Sequence, residues 1–181
     1  MHATIADVIC DTVQNSIEAG AGNIGLTLVE DGKMIRVEIT DDGKGMDPET
    51  LKRAWDPFYT EPGKHAKRRV GLGLPLLRQI AEATGGEAVL ESEKGKGTRL
   101  AYSFAADNVD TPPMGDIAGT LLTLFNYDGP FELAFRHEAH GRSYEITRSE
   151  LADAAGSLQD AAGLSLASAF LKDQEADLKS A

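Results

Sequence analysis

Two segments of alternating apolar residues, separated by an Asp-Gly pair, constrain the fold more than any other feature of this sequence. In residues 24–29 and 35–39 every second side chain is a large aliphatic residue, the period of a strand with one buried face. Asp31-Gly32 lies between them, and this dipeptide is typical of a tight hairpin turn. The sequence therefore predicts an antiparallel pair of strands.

The elements around this pair define the fold class of the first 105 residues. Apolar residues at helical spacing predict a helix before the pair, which Gly20 and Gly22 end. Asp47 and Pro48 have the residue types that cap and open a short helix. The order α-β-β-α-loop-α-β-β predicts an α+β fold, a two-layer sandwich with helices over one face of a mixed, mostly antiparallel sheet. The further predicted elements are a helix over 3–19, a loop over 57–70, a helix over 74–84 and a hairpin over 88–104.

The remaining residues predict a second, smaller unit. Residues 1–105 form the first domain, residues 106–113 have the composition of a linker, and residues 114–181 form a small acidic α/β extension. In that extension the pattern predicts a helix around 117–125, and a hairpin of 131–137 with 142–147 through the loop 138–141. A capping box at 147–150 opens another helix, and a last helix begins near Leu164.

Composition and charge exclude several classes of function. The chain has 181 residues with a net charge of −11, whereas nucleic acid and anionic lipid attract positive charge. We therefore expect no nucleic acid and no membrane among its partners. No apolar run approaches the roughly 20 residues that span a bilayer, and residues 1–4 do not resemble a signal peptide, which predicts a cytoplasmic protein. The single cysteine excludes an internal disulfide and a thiolate metal cage.

A polar stripe runs along the first predicted helix. It consists of Asp7, Asp11, Asn15 and Glu18, which fall on one side of a helix because of their spacing. The stripe is either a solvated helix face or a set of oxygen ligands for a hard cation. An Asn amide oxygen suits Mg²⁺, since that ion keeps several waters and takes few protein ligands.

Three glycine-containing motifs follow, each compatible with an ordinary turn. In DDGKGM, after the second strand, Asp41 can accept a hydrogen bond from an exocyclic amine, and Gly43 and Gly45 let the backbone approach a flat ligand. VGLGL opens a helix, whose N-terminus favours an anion. GKGT reads as a hairpin turn, from which the hydroxyl of Thr98 can point toward the strand end that carries Asp41.

Together, in this order, the motifs resemble the GHKL superfamily of ATP-binding domains, which includes gyrase, Hsp90, histidine kinases and MutL. Asn15 lies in the N box, DDGKGM is the G1 box, WDPFYTEP resembles the F box, VGLGL the G2 box and GKGT the G3 box. The resemblance covers residues 3–105, and it implies the Bergerat fold of histidine kinase-like ATPases with ATP and Mg²⁺ as cofactors.

The resemblance also implies roles for single residues. Asn15 matches the residue that coordinates the Mg²⁺ bridging the phosphates. Asp41 matches the aspartate that reads the adenine amine, with Thr98 assisting through a water. Residues 59–70 match a mobile ATP lid, in which a basic run either contacts the β and γ phosphates or is a solvated loop. The other implied ATP-binding residues are Gly43, Gly45 and Met46 of the G1 box, Lys67, Arg68 and Arg69 of the lid, and Gly71, Leu72 and Gly73 of the G2 box.

The boxes resemble two branches of the superfamily. The F, G2 and G3 boxes resemble the catalytic domain of a histidine kinase. The segment DTVQNSIEAGA instead resembles MutL-type ATPases, in which an acidic residue four positions before the asparagine activates the attacking water, and here Asp11 holds that position. Three roles stay open for Asp11: it is a general base, it contacts a water bound to the Mg²⁺, or it is a solvated side chain without a role in the reaction. The strand that commonly precedes the N box is not evident, so we expect its sheet edge to be open or supplied by another segment.

The phospho-accepting histidine hairpin of a histidine kinase is also not evident. His2, His65, His137 and His140 lie outside any convincing His-acid pair on a helix, and we expect each at the surface. Three functions stay open: regulatory phosphotransfer to an unidentified protein partner, slow MutL-like ATP hydrolysis, and a nucleotide-sensing binding module resembling an anti-sigma factor. Residues 106–181 form either a docking or homodimerisation unit or a structural extension.

Overall fold

The computed structural model describes residues 4–56 and 73–180 and contains one six-stranded sheet. The strands lie in the order β3-β4-β2-β1-β5-β6. Only β1 and β5 are parallel neighbours, and the other adjacent strands of the described sheet are antiparallel. The strands are β1 (Asn23–Glu30), β2 (Met34–Asp41), β3 (Ala88–Glu93), β4 (Gly97–Ala105), β5 (Glu132–Ala139) and β6 (Arg142–Thr147).

Six helices accompany the sheet in the described part of the chain. Apolar residues of five of them join its buried face in one core, whereas the short helix Pro48–Arg53 has no buried residue. The predicted α+β fold with a mixed, mostly antiparallel sheet is confirmed. None of these helices combines the length and the apolar character needed to cross a membrane. The helices are α1 (Ile5–Glu18), α2 (Pro48–Arg53), α3 (Gly73–Ala83), α4 (Ile117–Phe125), α5 (Arg148–Ala155) and α6 (Ala161–Lys179).

The buried face of the sheet follows the alternation of the sequence. Leu26 of β1 lies opposite Ile39 of β2 in the antiparallel pair and beside Phe135 of β5 in the parallel pair, and all three are at most 2% exposed. Side chains at these register positions share one face of a pleated sheet. The same face carries Asp41, two residues beyond Ile39, which places that carboxylate at the end of the strand on the helix side.

The edge of β1 that does not pair with β2 is covered by a distant segment. β5 pairs with it in parallel along its whole length, from Asn23 beside Glu132 to Glu30 beside Ala139. The sequence left two possibilities for this sheet edge, that it is open or that another segment supplies the neighbouring strand. The structure shows the second, because β5 is that strand. Residues 132–147 thus extend the same sheet that carries the glycine motifs.

The first turn of α1 is tied to the segment before α4. Thr4 caps α1, and a reciprocal capping box joins its side chain and backbone N–H to Asp7. The backbone N–H groups of Ile5 and Ala6 donate to the carbonyl groups of Pro113 and Met114, each at 2.9 Å. Asp7, a member of the predicted polar stripe, thus caps its own helix.

The structure refines two predicted boundaries in the extension. α6 begins at Ala161, three residues before the predicted Leu164, because Asp160 caps it through the Gly163 N–H at 2.8 Å. The predicted four-residue loop 138–141 is a tighter turn, in which Ala139 pairs with Arg142. His140 and Gly141 both have positive φ, as a two-residue hairpin turn requires.

His137 is fully buried, so the expectation of a surface position for it was wrong. It follows Leu133 and Phe135 at period two and therefore points into the core. Its Nδ1 lies 2.8 Å from Glu175 Oε1 on α6, and its Nε2 lies 3.1 Å from Glu30 Oε1 on β1. The hydroxyl of Tyr144 on β6 donates to the same Glu175 oxygen at 2.6 Å.

The His137 ring links three elements only when it carries both protons, because both facing carboxylate oxygens accept. Burial by itself lowers the pKa of His137, but the hydrogen bonds and charges of Glu175 and Glu30 outweigh it and raise the pKa above its usual value. The hydrogen bond from His137 in turn lowers the pKa of Glu30. Lys179 and His140 are the other charged or titratable groups that act on Glu30.

We predict that this cluster makes the free energy of unfolding fall with rising pH. A raised folded-state pKa gives stability that is fully present below the unfolded value of about 6.5 and lost as pH rises through the folded value. Chemical denaturation between pH 6 and pH 9 should show this decline in the native protein and in His140→Gln. His137→Gln should lack it and be about 3 kcal/mol less stable at pH 6, the scale for breaking a buried ion pair. A flat native profile, or an unchanged decline in His137→Gln, contradicts the prediction.

Candidate functional site

The carboxylate of Asp41, the last residue of β2, is held at both oxygens. The hydroxyl of Ser16 on α1 donates to Oδ2 at 2.6 Å, and the backbone N–H of Gly43 donates to Oδ1 at 2.9 Å. Ser16 is buried and Asp41 is half-buried. The two donors fix the orientation of a carboxylate whose remaining lone pairs accept further hydrogens.

Asp41 begins a row of three polar side chains across the sheet. Thr98 of β4 is its register partner, and Ser92 of β3 is the register partner of Thr98. Directly opposed residues of antiparallel strands point to the same face, so the three lie side by side on the helix side. Thr98 Oγ1 and Ser92 Oγ are 2.9 Å apart, and the Met46 N–H donates to Ser92 Oγ at 2.9 Å. The predicted Asp41 and Thr98 are therefore brought together with Met46.

Two glycines allow the backbone to close around this row. Gly45 has a φ of 60°, and a Cβ there would lie 2.0 Å from the carbonyl oxygen of Glu93. Gly97 has a φ of 108°, and a Cβ there would lie 1.8 Å from the carbonyl oxygen of Asp41. A side chain at position 45 would push the G1 loop (residues 42–46) away from the end of β3, and one at position 97 would push the end of β2 away from β4.

The G1 loop is also fixed to α1 and β1. Asp42 accepts hydrogen bonds from the Gly22 and Asn23 backbone N–H groups at 2.7 and 2.8 Å and from the Asn23 side chain at 2.7 Å. The side-chain bond from Asn23, followed by its backbone bond, lowers the pKa of Asp42. The Lys44 N–H donates to the Ala19 carbonyl at 3.0 Å. The loop that carries Gly43 is therefore held between the end of α1 and the start of β1.

A shallow, open groove of about 440 Å³ lies at this corner of the sheet. Asp41, Ser92, Gly97 and Thr98 belong to its lining. The other residues of its lining belong to the opposite face of the sheet or to the β3–β4 turn. These residues are Thr40, Glu91, Glu93, Lys96 and Arg99.

The other predicted site residues lie on the flanking helices or outside the described residues. Asn15 is half-buried on α1, directly before the residue that holds Asp41, and Asp11 is half-buried one turn earlier. Gly73 is the first residue of α3. Within residues 4–56 and 73–180, no group of three or more His, Cys, Asp or Glu side chains could hold a metal ion. Lys67, Arg68, Arg69, Gly71 and Leu72 lie outside the described residues, as does the predicted lid.

Sequence reasoning missed three residues of this corner. Ser16 gave no signal apart from directly following Asn15 in the N box. Ser92 sits in a polar stretch of β3 with no motif around it, and only the pairing of β3 with β4 brings it beside Thr98. Asp42 is the second aspartate of DDGKGM, and this position was the signal that could have identified it. Because it directly follows Asp41, its side chain points to the opposite side of the sheet.

Comparison with known proteins supports the same assignment over the first part of the chain. The model of the histidine kinase-, DNA gyrase B- and HSP90-like ATPase family matches residues 2–108. Sporulation kinase E of Bacillus subtilis (strain 168) is 37% identical over 97 residues, covering 52% of this chain and 13% of that protein. Sensor histidine kinase YxdK of the same strain is 30% identical over 100 residues, covering 53% and 31%. The chain thus spans less than a third of the length of these two relatives.

A solved structure shares the fold over a longer stretch. The crystal structure of the N-terminal domain of a DNA repair protein superposes with a TM-score of 0.60 at 18% identity, covering 90% of this chain and 59% of the other. The match therefore extends beyond residue 108, into the segment that supplies β5 and β6. Because the family model matches more than half of its residues, this chain belongs to the histidine kinase-, DNA gyrase B- and HSP90-like ATPases, and residues 2–108 form an ATP-binding domain of the histidine kinase type.

Proposed function

We propose that this protein binds Mg·ATP at the corner formed by β2, β4 and α1, and that it uses the nucleotide for regulatory phosphotransfer or hydrolysis with a protein partner. The observation that carries the proposal is the carboxylate of Asp41, which Ser16 and Gly43 hold at a strand end beside Thr98. In a chain of an ATP-binding family, a fixed acceptor at this place has the chemistry to read the adenine amine.

Asn15 is the proposed Mg²⁺ ligand. It precedes Ser16 on α1, so its amide lies one residue along the helix from the group that holds Asp41. Mg²⁺ is usually held by one or two protein ligands together with substrate phosphates and water. A single amide oxygen without a cluster of carboxylates in the described part of the chain fits this mode of binding. When bound, the ion would neutralise charge on the phosphates.

The remaining contacts to the phosphates are assigned to residues at the start of α3 and before it. Gly73 begins α3, and free N–H groups at a helix N-terminus favour an anion. For five further residues the proposed contact with the phosphates rests on the sequence motifs alone. They are Lys67, Arg68, Arg69, Gly71 and Leu72. The purine end of the site therefore rests on described contacts, and the phosphate end rests on the motifs.

Phosphotransfer to a partner is the first candidate reaction, because the curated relatives that match the ATP-binding domain are kinases. The protein partner is not identified by the chemistry of the site. For residues 114–181 we retain the proposal of a partner-docking or dimerisation unit. The support is that Met114, at the start of this unit, accepts a hydrogen bond from Ala6 in the first turn of α1, the helix that carries Asn15.

Asp41→Asn tests the purine end of the site. The substitution keeps the shape but replaces one acceptor oxygen by a donor, so we expect the Kd for ATP to rise about tenfold to a hundredfold, the range for a hydrogen bond to a charged group. Calorimetric titration of Mg·ATP measures it.

Asp42→Asn is the matched control for this experiment. It makes the same chemical change one residue away, at a carboxylate that holds the Gly22 and Asn23 backbone. We expect it to lower stability and to raise the Kd for ATP less than Asp41→Asn does, because it acts only through the loop backbone that carries Gly43. Wild-type affinity in Asp41→Asn would refute the assignment of the base site.

ATP hydrolysis is the second candidate, and the position of Asp11 favours it. Asp11 lies one helical turn before Asn15 on α1, so both project from the same side of the helix. A carboxylate at this position can orient or deprotonate a water near the γ-phosphate. The sensing module, by contrast, would bind nucleotide without turnover.

Asp11→Asn separates hydrolysis from the other functions. If Asp11 is the general base, phosphate release should fall by about 100-fold or more while ATP affinity is kept. Glu18→Gln, which changes an exposed carboxylate on the same helix, should release phosphate at the wild-type rate. Equal rates in Asp11→Asn and wild type would exclude this role, and transfer of labelled γ-phosphate to a partner would then favour the kinase function.

A further inference from the structure

Ser92 is the third member of the polar row across β2, β4 and β3, and no motif of the sequence includes it. Its side chain is half-buried, and its hydroxyl has three partners. Ser92 Oγ lies 2.9 Å from the carbonyl oxygen of Gly97, 2.9 Å from Thr98 Oγ1, and 2.9 Å from the Met46 backbone nitrogen, which donates to it. A serine hydroxyl has one hydrogen to donate and two lone pairs that accept. All three are in use.

The partners determine where the single hydrogen of Ser92 lies. A carbonyl oxygen can only accept, so the contact with Gly97 requires the hydrogen of Ser92. The Met46 N–H can only donate, so it takes one lone pair of Ser92. The second lone pair faces Thr98, and the Ser92 hydrogen is no longer available there. The hydrogen of that bond must therefore come from the Thr98 hydroxyl.

This assignment fixes the polarity of Thr98 toward the site. Once the Thr98 hydroxyl donates to Ser92, its oxygen presents lone pairs alone to the space beside Asp41. The carboxylate of Asp41 likewise only accepts, from Ser16, from Gly43 and from any ligand. A group between Asp41 and Thr98 must therefore bring hydrogens to both.

We propose that Ser92 is a specificity-determining positioning residue, which locks Thr98 as an acceptor so that this corner selects purines with a 6-amino group against purines with a 6-oxo group. A 6-amino group, directly or through a water, supplies hydrogens to both acceptors. A 6-oxo purine has no hydrogen on its 6-oxo group and only one on N1, so it can satisfy at most one of the two acceptors. This inference rests on the proposed ATP function and names the residue that sharpens its base selectivity. Ser92 acts through Thr98 and itself need not touch the nucleotide.

The test compares ATP with inosine triphosphate, which differs by carrying a 6-oxo group and a hydrogen on N1. Calorimetry gives both Kd values for each variant, and their ratio is the measure of selectivity. In Ser92→Ala the Thr98 hydroxyl is free to rotate and donate to the 6-oxo group. We expect the preference for ATP to shrink about threefold to tenfold, the range of one neutral hydrogen bond. Ser92→Thr keeps the hydroxyl and should retain the wild-type ratio.

A double-mutant cycle separates this role from a structural one. Ser92→Ala also removes partners of Met46 and Gly97, which would weaken both nucleotides alike and leave the ratio unchanged. If Ser92 acts through Thr98, Ser92→Ala should have no effect on the ratio in a Thr98→Val background, where the hydroxyl is absent. Ratios are taken from the same folded preparation, so that losses in stability cancel.

The outcomes distinguish this inference from the proposed function. A reduced ratio in Ser92→Ala, restored in Ser92→Thr and absent in the Thr98→Val background, supports the inference. A wild type that binds ATP, with a ratio that Ser92→Ala leaves unchanged or changes equally in the Thr98→Val background, overturns the role of Ser92 alone. A wild type that binds neither nucleotide overturns the proposed function and this inference with it.

Discussion

The two hydrogen bonds that hold the Asp41 carboxylate are the interactions on which the arrangement of the site depends. The Ser16 hydroxyl reaches it from α1 and the Gly43 N–H reaches it from the G1 loop, so helix, strand end and loop meet at one group. Charge-assisted bonds of this kind are stronger than bonds between neutral groups. Because Asn15 is the neighbour of Ser16, the contact that orients the carboxylate also sets the position of the proposed metal ligand along α1.

The rest of the corner is built so that these acceptors stay in place. Gly45 and Gly97 permit close backbone contacts that any Cβ would prevent. Ser92 uses its one hydrogen and both lone pairs to join the G1 loop to β4. A site whose groups are already oriented loses less free energy on binding than one that must order them. The C-terminal segment contributes at a distance, since β5 covers β1 and the residues before α4 hold the first turn of α1.

Local sequence patterns predicted the helices and strands of this fold, but they could not predict the contacts between residues far apart in the chain. The alternation in residues 24–39 placed Asp41 at a strand end, and the capping box at Thr147 placed the start of α5, because both signals lie within a few residues of the chain. The parallel pairing of β5 with β1 and the contact of Ser16 with Asp41 join segments far apart in sequence, for which periodicity carries no register. His137 was misplaced because it was predicted as the last strand residue before the loop 138–141, whereas the strand continues to Ala139 and buries it. The lid residues Lys67, Arg68 and Arg69 remain predictions.

A crystal structure with Mg²⁺ and a non-hydrolysable ATP analogue tests the central claim most directly. We expect the adenine amine within about 3 Å of an Asp41 carboxylate oxygen and the ion at about 2.1 Å from the Asn15 amide oxygen, the usual distances for such contacts. An analogue bound elsewhere, or bound here with its phosphates against Asp41 and its base away from Thr98, would contradict the claim that this corner recognises the purine.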